Sequence, residues 1–414
     1  MSLIVFEDAG FRNLLPLVYS RATFNLRIGF DNLLAKIETA VNRTADAVFV
    51  RPVLAAVMAE RQPRRVNQPS TCDDQLWVNG RVLLRAAFAL PPMSAVWQGE
   101  VLVAARVNRA LGSQLTPNVL LDPVALRQKL GGLAGATMSD EIWRLIDWPW
   151  QAVQENAGEI VRQAAQRQCD VLGRVYAGAH LVSGHAIHVG GGTTIKPGAV
   201  LDAEEGPIYI GENATVSPGA VIVGPCYIGD KCIINPGAAV RPGCSIGEAC
   251  KIGGEVEGTI FHGYSNKQHD GFIGHSYVGE WVNLGADTVG SDLKNTYGPV
   301  RVPINGVPVE SGQTFVGAFI GDHTKTAIGT RLPTGAVFGY GCNVLGSRMP
   351  PQFVPSFSWL TDAGAARNDP VKALDVALKV VARRGRKYSA AEQNLFMAIA
   401  EEAGRVERDS SFAR

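Results

Sequence analysis

An α/β domain, then a β-solenoid, then a helical tail is the fold class this sequence predicts, and three observations predict it. From residue 210 onward a β-branched residue returns every six positions: Ile210, Val216, Ile222, Ile228, Ile234, Val240, Ile246 and Ile252. Glycine, 46 residues in all, is concentrated in the same middle stretch. Residues 1–150 lack this hexad and instead alternate apolar runs (LIVF, AVFV, LWVNGRVLL, VLVAARV) with helical-looking segments. A period of six suits neither an amphipathic helix nor a long alternating strand; it suits short strands separated by turns, stacked into coils.

Totals bound the class. A chain of 414 residues favours two or three domains. Hydrophobic content of 46% with 19% charge describes a soluble globular protein. A net charge of +1 gives no drive towards nucleic acid or a membrane surface. No run of 18 apolar residues offers a membrane span. The first residues carry Glu7 and Asp8 within their apolar stretch and no basic leader, so no export signal is expected, the location is expected to be cytoplasmic, and the seven cysteines are expected as thiols.

The elements follow in order. In residues 1–150, FDNLLAKIETAV and DPVALRQKLGG are helical in pattern, and their alternation with apolar runs reads as α/β. WQAVQENAGEIVRQAAQRQ (150–168) reads as a connecting helix that leads into the repeat, the linker being placed at 151–170. The solenoid is placed at 171–347, and its frame is visible at Val189, Ile195 and Leu201 and again at Ile320, Thr326, Leu332, Phe338 and Val344. Two positions before each repeat residue stand Ala214, Ala220, Cys226, Cys232, Ala238, Cys244 and Cys250, so the four cysteines read as small buried hydrophobes. No C-x-x-C occurs, which argues against zinc, and successive cysteines fall on different faces, which argues against disulfides. SDLKNTYGPVRVPINGVPVESGQ (291–313) interrupts the frame and reads as an extended loop or hairpin. Residues 348–414 open with a proline-rich strap, RMPPQFVPSFSWL, followed by two helices, the second begun by a Ser389–Glu392 capping box. These helices are expected to cap the open end of the solenoid or to dock on a neighbour.

Chemistry-bearing residues gather in EGTIFHGYSNKQHDGFIGHSYVGEWVNLGADTVGSDLKNTYG (257–298), which is more polar than a plain coil requires. All seven histidines lie between 180 and 323. His180, His185 and His188 read as coil-edge residues rather than a metal cluster.

The hexad pattern resembles the left-handed parallel β-helix of hexapeptide-repeat transferases. The polar run resembles the acetyltransferase half of the bifunctional GlmU family, in a branch whose first domain has diverged. The match rests on His269, Phe272-Ile273-Gly274 and Asn283-Leu284-Gly285-Ala286, and more loosely on Asn295-Thr296-Tyr297-Gly298. The resemblance implies His269 as general base, taking a proton from a sugar 2-amino group as it attacks the acetyl-CoA thioester; imidazole suits that task near neutral pH. It implies catalytic support from Asn283 and Asn295, sugar-phosphate contacts from Lys267, Phe272, Lys294 and Tyr297, and CoA contacts from Lys325 and Arg331. Phe272 stands where the family usually has tyrosine. His262 and His275 have less defined places.

LLPL, Arg21 and LRIG near the N-terminus resemble the opening of the same branch, whose first domain transfers a uridylyl group with Mg²⁺. The phosphate loop G-x-G-T-R of that activity is absent. Arg12, Arg21 and Arg27 are candidate phosphate contacts in a domain with fourteen Arg and two Lys, and Asp8 and Asp122 are the candidate Mg²⁺ ligands. The resemblance therefore implies N-acetylation of glucosamine-1-phosphate or a related amino-sugar phosphate, with possible nucleotidyl transfer from UTP or dTTP, in a homotrimer supplying nucleotide sugars for the cell envelope. The alternatives are a nucleotidylyltransferase whose solenoid is only a scaffold, and a non-enzymatic solenoid binding protein.

Overall fold

The computed structural model describes residues 1–61 and 64–407. The first domain is built on a seven-stranded sheet in the order 134–135, 94–98, 101–108, 74–79, 2–6, 47–49 and 65–66. Strand Ser2–Phe6 runs parallel to its neighbours at Ala47–Phe49 and Asp74–Asn79, while Val101–Asn108 runs antiparallel to the strands on both its sides. Side chains alternate across the sheet. Leu3 and Val5 join the large core that reaches the solenoid, whereas Ile4 and Phe6 pack with Phe49 and Trp77 on the opposite face. The helical patterns appear at Leu33–Val41 and Pro123–Leu130.

The solenoid is three stacks of parallel strands, of eleven, six and nine members, the largest ending in one antiparallel strand. Its register explains the hexad: Ile210 pairs with Ile228 and Ile228 with Ile246, eighteen residues apart. Repeat residues and their minus-two partners face inward; Ala220, Cys226, Cys232, Ala238, Cys244 and Cys250 are all 0% exposed. All seven cysteines are free thiols, five of them buried.

After Ile252 the coils shorten. Ile246 pairs with Phe261 and Ile252 with Lys267, each fifteen residues on, and Lys267 with Leu284, seventeen on. The hexad frame is thus lost from about 253, well before the interruption at 291–313. Within that interruption, Arg301–Ile304 and Val307–Glu310 form an antiparallel hairpin. Val300, Val302 and Ile304 pack into the core shared with the first domain.

Two expectations are corrected. The segment after 347 is no exit strap: Phe353–Val354 and Ser358–Thr361 add parallel strands to two of the stacks, and Gly364–Arg367 closes one of them antiparallel. The prolines, Pro350, Pro351 and Pro355, fall outside these short strands and so remove no ladder hydrogen bond from them. Nor do the tail helices, Pro370–Ala382 and Ala390–Val406, only serve an open end. Arg384, beyond the first of them, donates to Asn266 Oδ1 at 2.6 Å, and Glu392 of the second pairs with Arg61 of the first domain at 2.5 Å. They lie along the flank of the coil, where Phe396 meets Tyr340 and Phe357.

The connecting helix, Pro149–Ala164, fills the seam between the domains. Its Asn156 accepts from Gly29 N and donates to Gly243 O. Phe30 sits 4.8 Å from both Tyr209 and Tyr227, a plug of first-domain aromatic surface on the coil.

Candidate functional site

The corner that carries His269 exists because the coil beneath it is short. A fifteen-residue turn brings Lys267 into the inward position that an aliphatic residue holds elsewhere. Only 1% of Lys267 is exposed, and its Nζ donates to Gly253 O at 2.9 Å and His269 O at 2.8 Å. Burial lowers its pKa to about 8, against a smaller opposing pull from Asp270 and Asp287. Gln268, between Lys267 and His269, is held through its carbonyl by Asn235. His269 and Asp270 themselves are exposed on this anchored corner. Lys267 therefore fixes the His269 backbone, and its ammonium is turned inward, away from a sugar phosphate. That corrects its expected role.

A polar ladder climbs the adjoining face. In register, coil by coil, stand Lys251, Asn266, Asn283, Lys325, Asn343 and Trp359. Successive rungs are about 5 Å apart. Asn266 donates to Asn283 Oδ1 at 3.2 Å. Lys325 lies at the wall of a cavity of about 480 Å³ between the coil and the tail helices, with Asn343, Trp359, Arg367, Asn368 and Lys372. Burial lowers the Lys325 pKa to about 8, and its Nζ donates to His323 O at 2.9 Å. Three cationic side chains against one carboxylate, Asp369, with amides and an indole, make this cavity suited to an anionic ligand with a flat ring.

Other expected residues lie apart from this corner or are otherwise engaged. Phe272 is half-buried at the start of strand Phe272–Gly274. Asn295 and Tyr297 are exposed on the loop after 291, where the Lys294 ammonium donates to Pro299 O. Arg331 is exposed and donates to Ser347 O at 3.1 Å. Arg12 is exposed over the Phe11 ring. Arg21 is buried and forks onto Asp322 at 3.0 and 2.7 Å, with Glu280 at 3.4 Å. Arg27 reaches Glu248 at 3.4 Å, and Tyr277 Oη accepts from its backbone N–H at 2.9 Å. Arg21 and Arg27 thus fasten the two domains, which corrects their reading as phosphate contacts.

The Mg²⁺ ligands do not fit either. Both Asp8 oxygens take hydrogen bonds from Arg81, at 2.7 and 2.6 Å, and one also from Asn79 at 2.9 Å. Asp122 caps the helix Pro123–Leu130, accepting from Val124 N and Ala125 N. Among the described residues no group of three His, Cys, Asp or Glu side chains is placed to hold a metal. An open α/β sheet binds ligands beyond the carboxyl ends of its strands. Here that region is filled by the pairs Asp8–Arg81 and Glu7–Arg51, the latter at 2.9 Å, with burial raising the Glu7 pKa.

Two clusters had no clear signal in the sequence. His262 Nδ1 lies 3.0 Å from Tyr277 Oη, and burial, with Arg21 and Arg27 nearby, drives its pKa well below the ordinary value. It lines a pocket of about 200 Å³ in the seam. His275 Nδ1 lies 2.8 Å from Asp292 Oδ2. Asp292 stands in the polar run, yet only the fold brings it seventeen residues back to a histidine.

Residues 3–169 match the sugar nucleotidyl transferase family, and residues 207–242 match the bacterial transferase hexapeptide repeats. A bifunctional sugar-1-phosphate nucleotidylyltransferase/acetyltransferase of Sulfurisphaera tokodaii is 36% identical over 92 residues, 22% of this chain and 23% of that protein. The bifunctional protein GlmU of Methanococcus maripaludis is 32% identical over 94 residues, 21% of this chain and 23% of its own. The chain thus spans about a quarter of the length of these curated relatives. An Arabidopsis UDP-N-acetylglucosamine acyltransferase structure aligns over 57% of this chain and 92% of its own, at 15% identity and a TM-score of 0.24. One chain thus joins a sugar nucleotidyl transferase match in its α/β domain to a transferase hexapeptide match in its parallel-stranded coil.

Proposed function

We propose that the protein is a sugar-phosphate transferase of nucleotide-sugar biosynthesis whose β-helix acetylates the amine of glucosamine-1-phosphate or a close relative from acetyl-CoA. The observation that carries this reading is the shortened coil. It presents His269 on a corner fixed by the buried Lys267, beside the amide ladder that leads to the Lys325 cavity. In the proposed step the amine attacks the thioester carbonyl, His269 takes its proton, the C–S bond breaks, and the proton passes to the departing thiolate. Asn283 flanks the acceptor, and Phe272, Asn295, Lys294 and Tyr297, which lie apart from this corner in one chain, are supplied to it by a neighbouring copy. Lys325 and Arg331 receive the CoA phosphates. Sites of this kind are completed by a neighbouring prism, so the working form is a homotrimer in the cytoplasm, feeding cell-envelope polymer synthesis.

A second reading assigns nucleotidyl transfer from UTP or dTTP to the first domain, with the coil as scaffold. The family match over residues 3–169 favours it. The ion pairs at the strand ends count against it, and so does the engagement of Asp8.

The test is thiol release from acetyl-CoA with glucosamine-1-phosphate, run beside pyrophosphate release from UTP. Thiol release is expected, and His269→Ala is expected to lower kcat by roughly 10²- to 10⁴-fold. An unchanged rate in that variant removes His269 as base; pyrophosphate release alone moves the chemistry to the first domain.

A further inference from the structure

His269 and His275 stand at opposite ends of one strand, Phe272–Gly274. Six residues separate them, up to about 20 Å of extended chain, so one chain's two imidazoles face different corners of the prism. At the His275 corner the imidazole is oriented as a base requires. Its Nδ1 lies 2.8 Å from Asp292 Oδ2. A carboxylate only accepts, so Nδ1 carries the hydrogen and Nε2 presents its lone pair. Nε2 makes no hydrogen bond within the described chain. Gly258 makes room for the ring: a Cβ there would stand 3.1 Å from His275 Cδ2 and 3.2 Å from Nε2, and its φ of +51° already favours glycine.

The imidazole opens on a cleft of about 640 Å³ between the coil, the connecting helix and the loop at 312–315. Its wall offers Gln154, Gln313 and Thr314 for hydrogen bonding, and Phe315, 52% exposed, whose ring lies 5.5 Å from that of His275. Amides and a hydroxyl beside an exposed aromatic face suit a pyranose-sized polyol. Among the described residues no lysine or arginine lines the cleft, and the one further charged group there, Glu257, is paired with Arg241 at 3.4 Å. The cleft therefore differs from the ladder with its lysines: it has nothing to neutralise a phosphate.

We infer that His275 and Asp292 form a second acceptor site, at which an unphosphorylated amino or hydroxy sugar receives an acyl group. The inference rests on the acyltransferase reading of the β-helix. His275 Nε2 takes the proton from the acceptor N–H or O–H as that atom bonds to the thioester carbonyl carbon. The carbon–sulfur bond breaks, and the proton is returned to the thiolate. His275 is the catalytic residue, and Asp292 is a positioning residue that acts through it.

The experiment measures thiol release by the full chain from acetyl-CoA, with glucosamine and, separately, glucosamine-1-phosphate as acceptor. His275→Gln is expected to lower glucosamine turnover at least 100-fold and to leave glucosamine-1-phosphate turnover within twofold. His269→Ala is expected to do the reverse. Asp292→Asn keeps an acceptor oxygen beside Nδ1, and is expected to lower kcat on glucosamine about tenfold with KM unchanged. Glucosamine turnover that survives His275→Gln and disappears in His269→Ala overturns the inference and leaves the acyltransferase reading standing, as does turnover of glucosamine-1-phosphate alone. Thiol release from neither acceptor overturns both.

Discussion

Lys267 shows what a single buried charge does in a coil built for aliphatics. Its position is an inward one, and the ammonium is tolerated there because three carbonyls, of Gly253, His269 and Asp270, face it. Its pKa near 8 lies below the ordinary 10.5. The unfolded chain therefore keeps a proton that the folded chain has released between those values, and the Lys267 contribution to stability rises with pH across that window. Relative to Lys267→Met, the native protein is expected to gain on the order of 1 kcal/mol between pH 7.5 and 9.5, read by urea unfolding at both pH values. A constant difference would mean that the lysine titrates at its ordinary value. The buried cysteines make a second residue-scale prediction. A thiol-specific disulfide reagent is expected to react with Cys72 and Cys169 in the native protein and to reach the five core thiols only after unfolding. Cys232→Ala should be mild, whereas Cys232→Leu should cost roughly 1–3 kcal/mol by overpacking the prism, measured by thermal denaturation.

At the scale of elements, the hexad and the tail helices were legible in the sequence to within a few residues, because their determinants are local. Small residues recur where the prism is narrow, and Ser389 with Glu392 closes the capping box in the structure as its spacing requires. Ser389→Ala is expected to cost about 1 kcal/mol, visible as faster amide exchange in the first turn of Ala390–Val406. The coils after 252 were not legible in this way. Their fifteen- and seventeen-residue lengths preserve no fixed spacing, and an inward lysine hides the frame. The strap was misread for a similar reason: its prolines signal a loop, yet short terminal strands pair around them.

Across the whole molecule, the two domains are locked by charge as much as by packing. Arg21 from the first domain is 4% exposed and Asp322 from the coil 2%. Asp322 also accepts from Glu280 N at 2.8 Å. Removing Arg21 leaves a buried carboxylate without its cation, so Arg21→Ala is expected to cost roughly 3–5 kcal/mol, and Arg21→Met/Asp322→Leu much less than the sum of its single changes. Chemical denaturation of all four proteins checks this; additive costs would mean that the pair is not coupled. The same pairing answers why the first-domain arginines were misjudged. A sequence shows that arginine is abundant, but whether a guanidinium faces a ligand or a carboxylate depends on residues three hundred positions away.

The sequence by itself determined the regular coil up to 252, its small-residue interior and the helical tail, because each follows from a spacing of a few residues. Only the tertiary structure decided that Lys267 points inward, that Asp8, Arg21 and Arg27 are bound to protein partners, and that His275 meets Asp292. Those outcomes depend on which distant group supplies the opposite charge once water has been removed, and no local spacing encodes that choice.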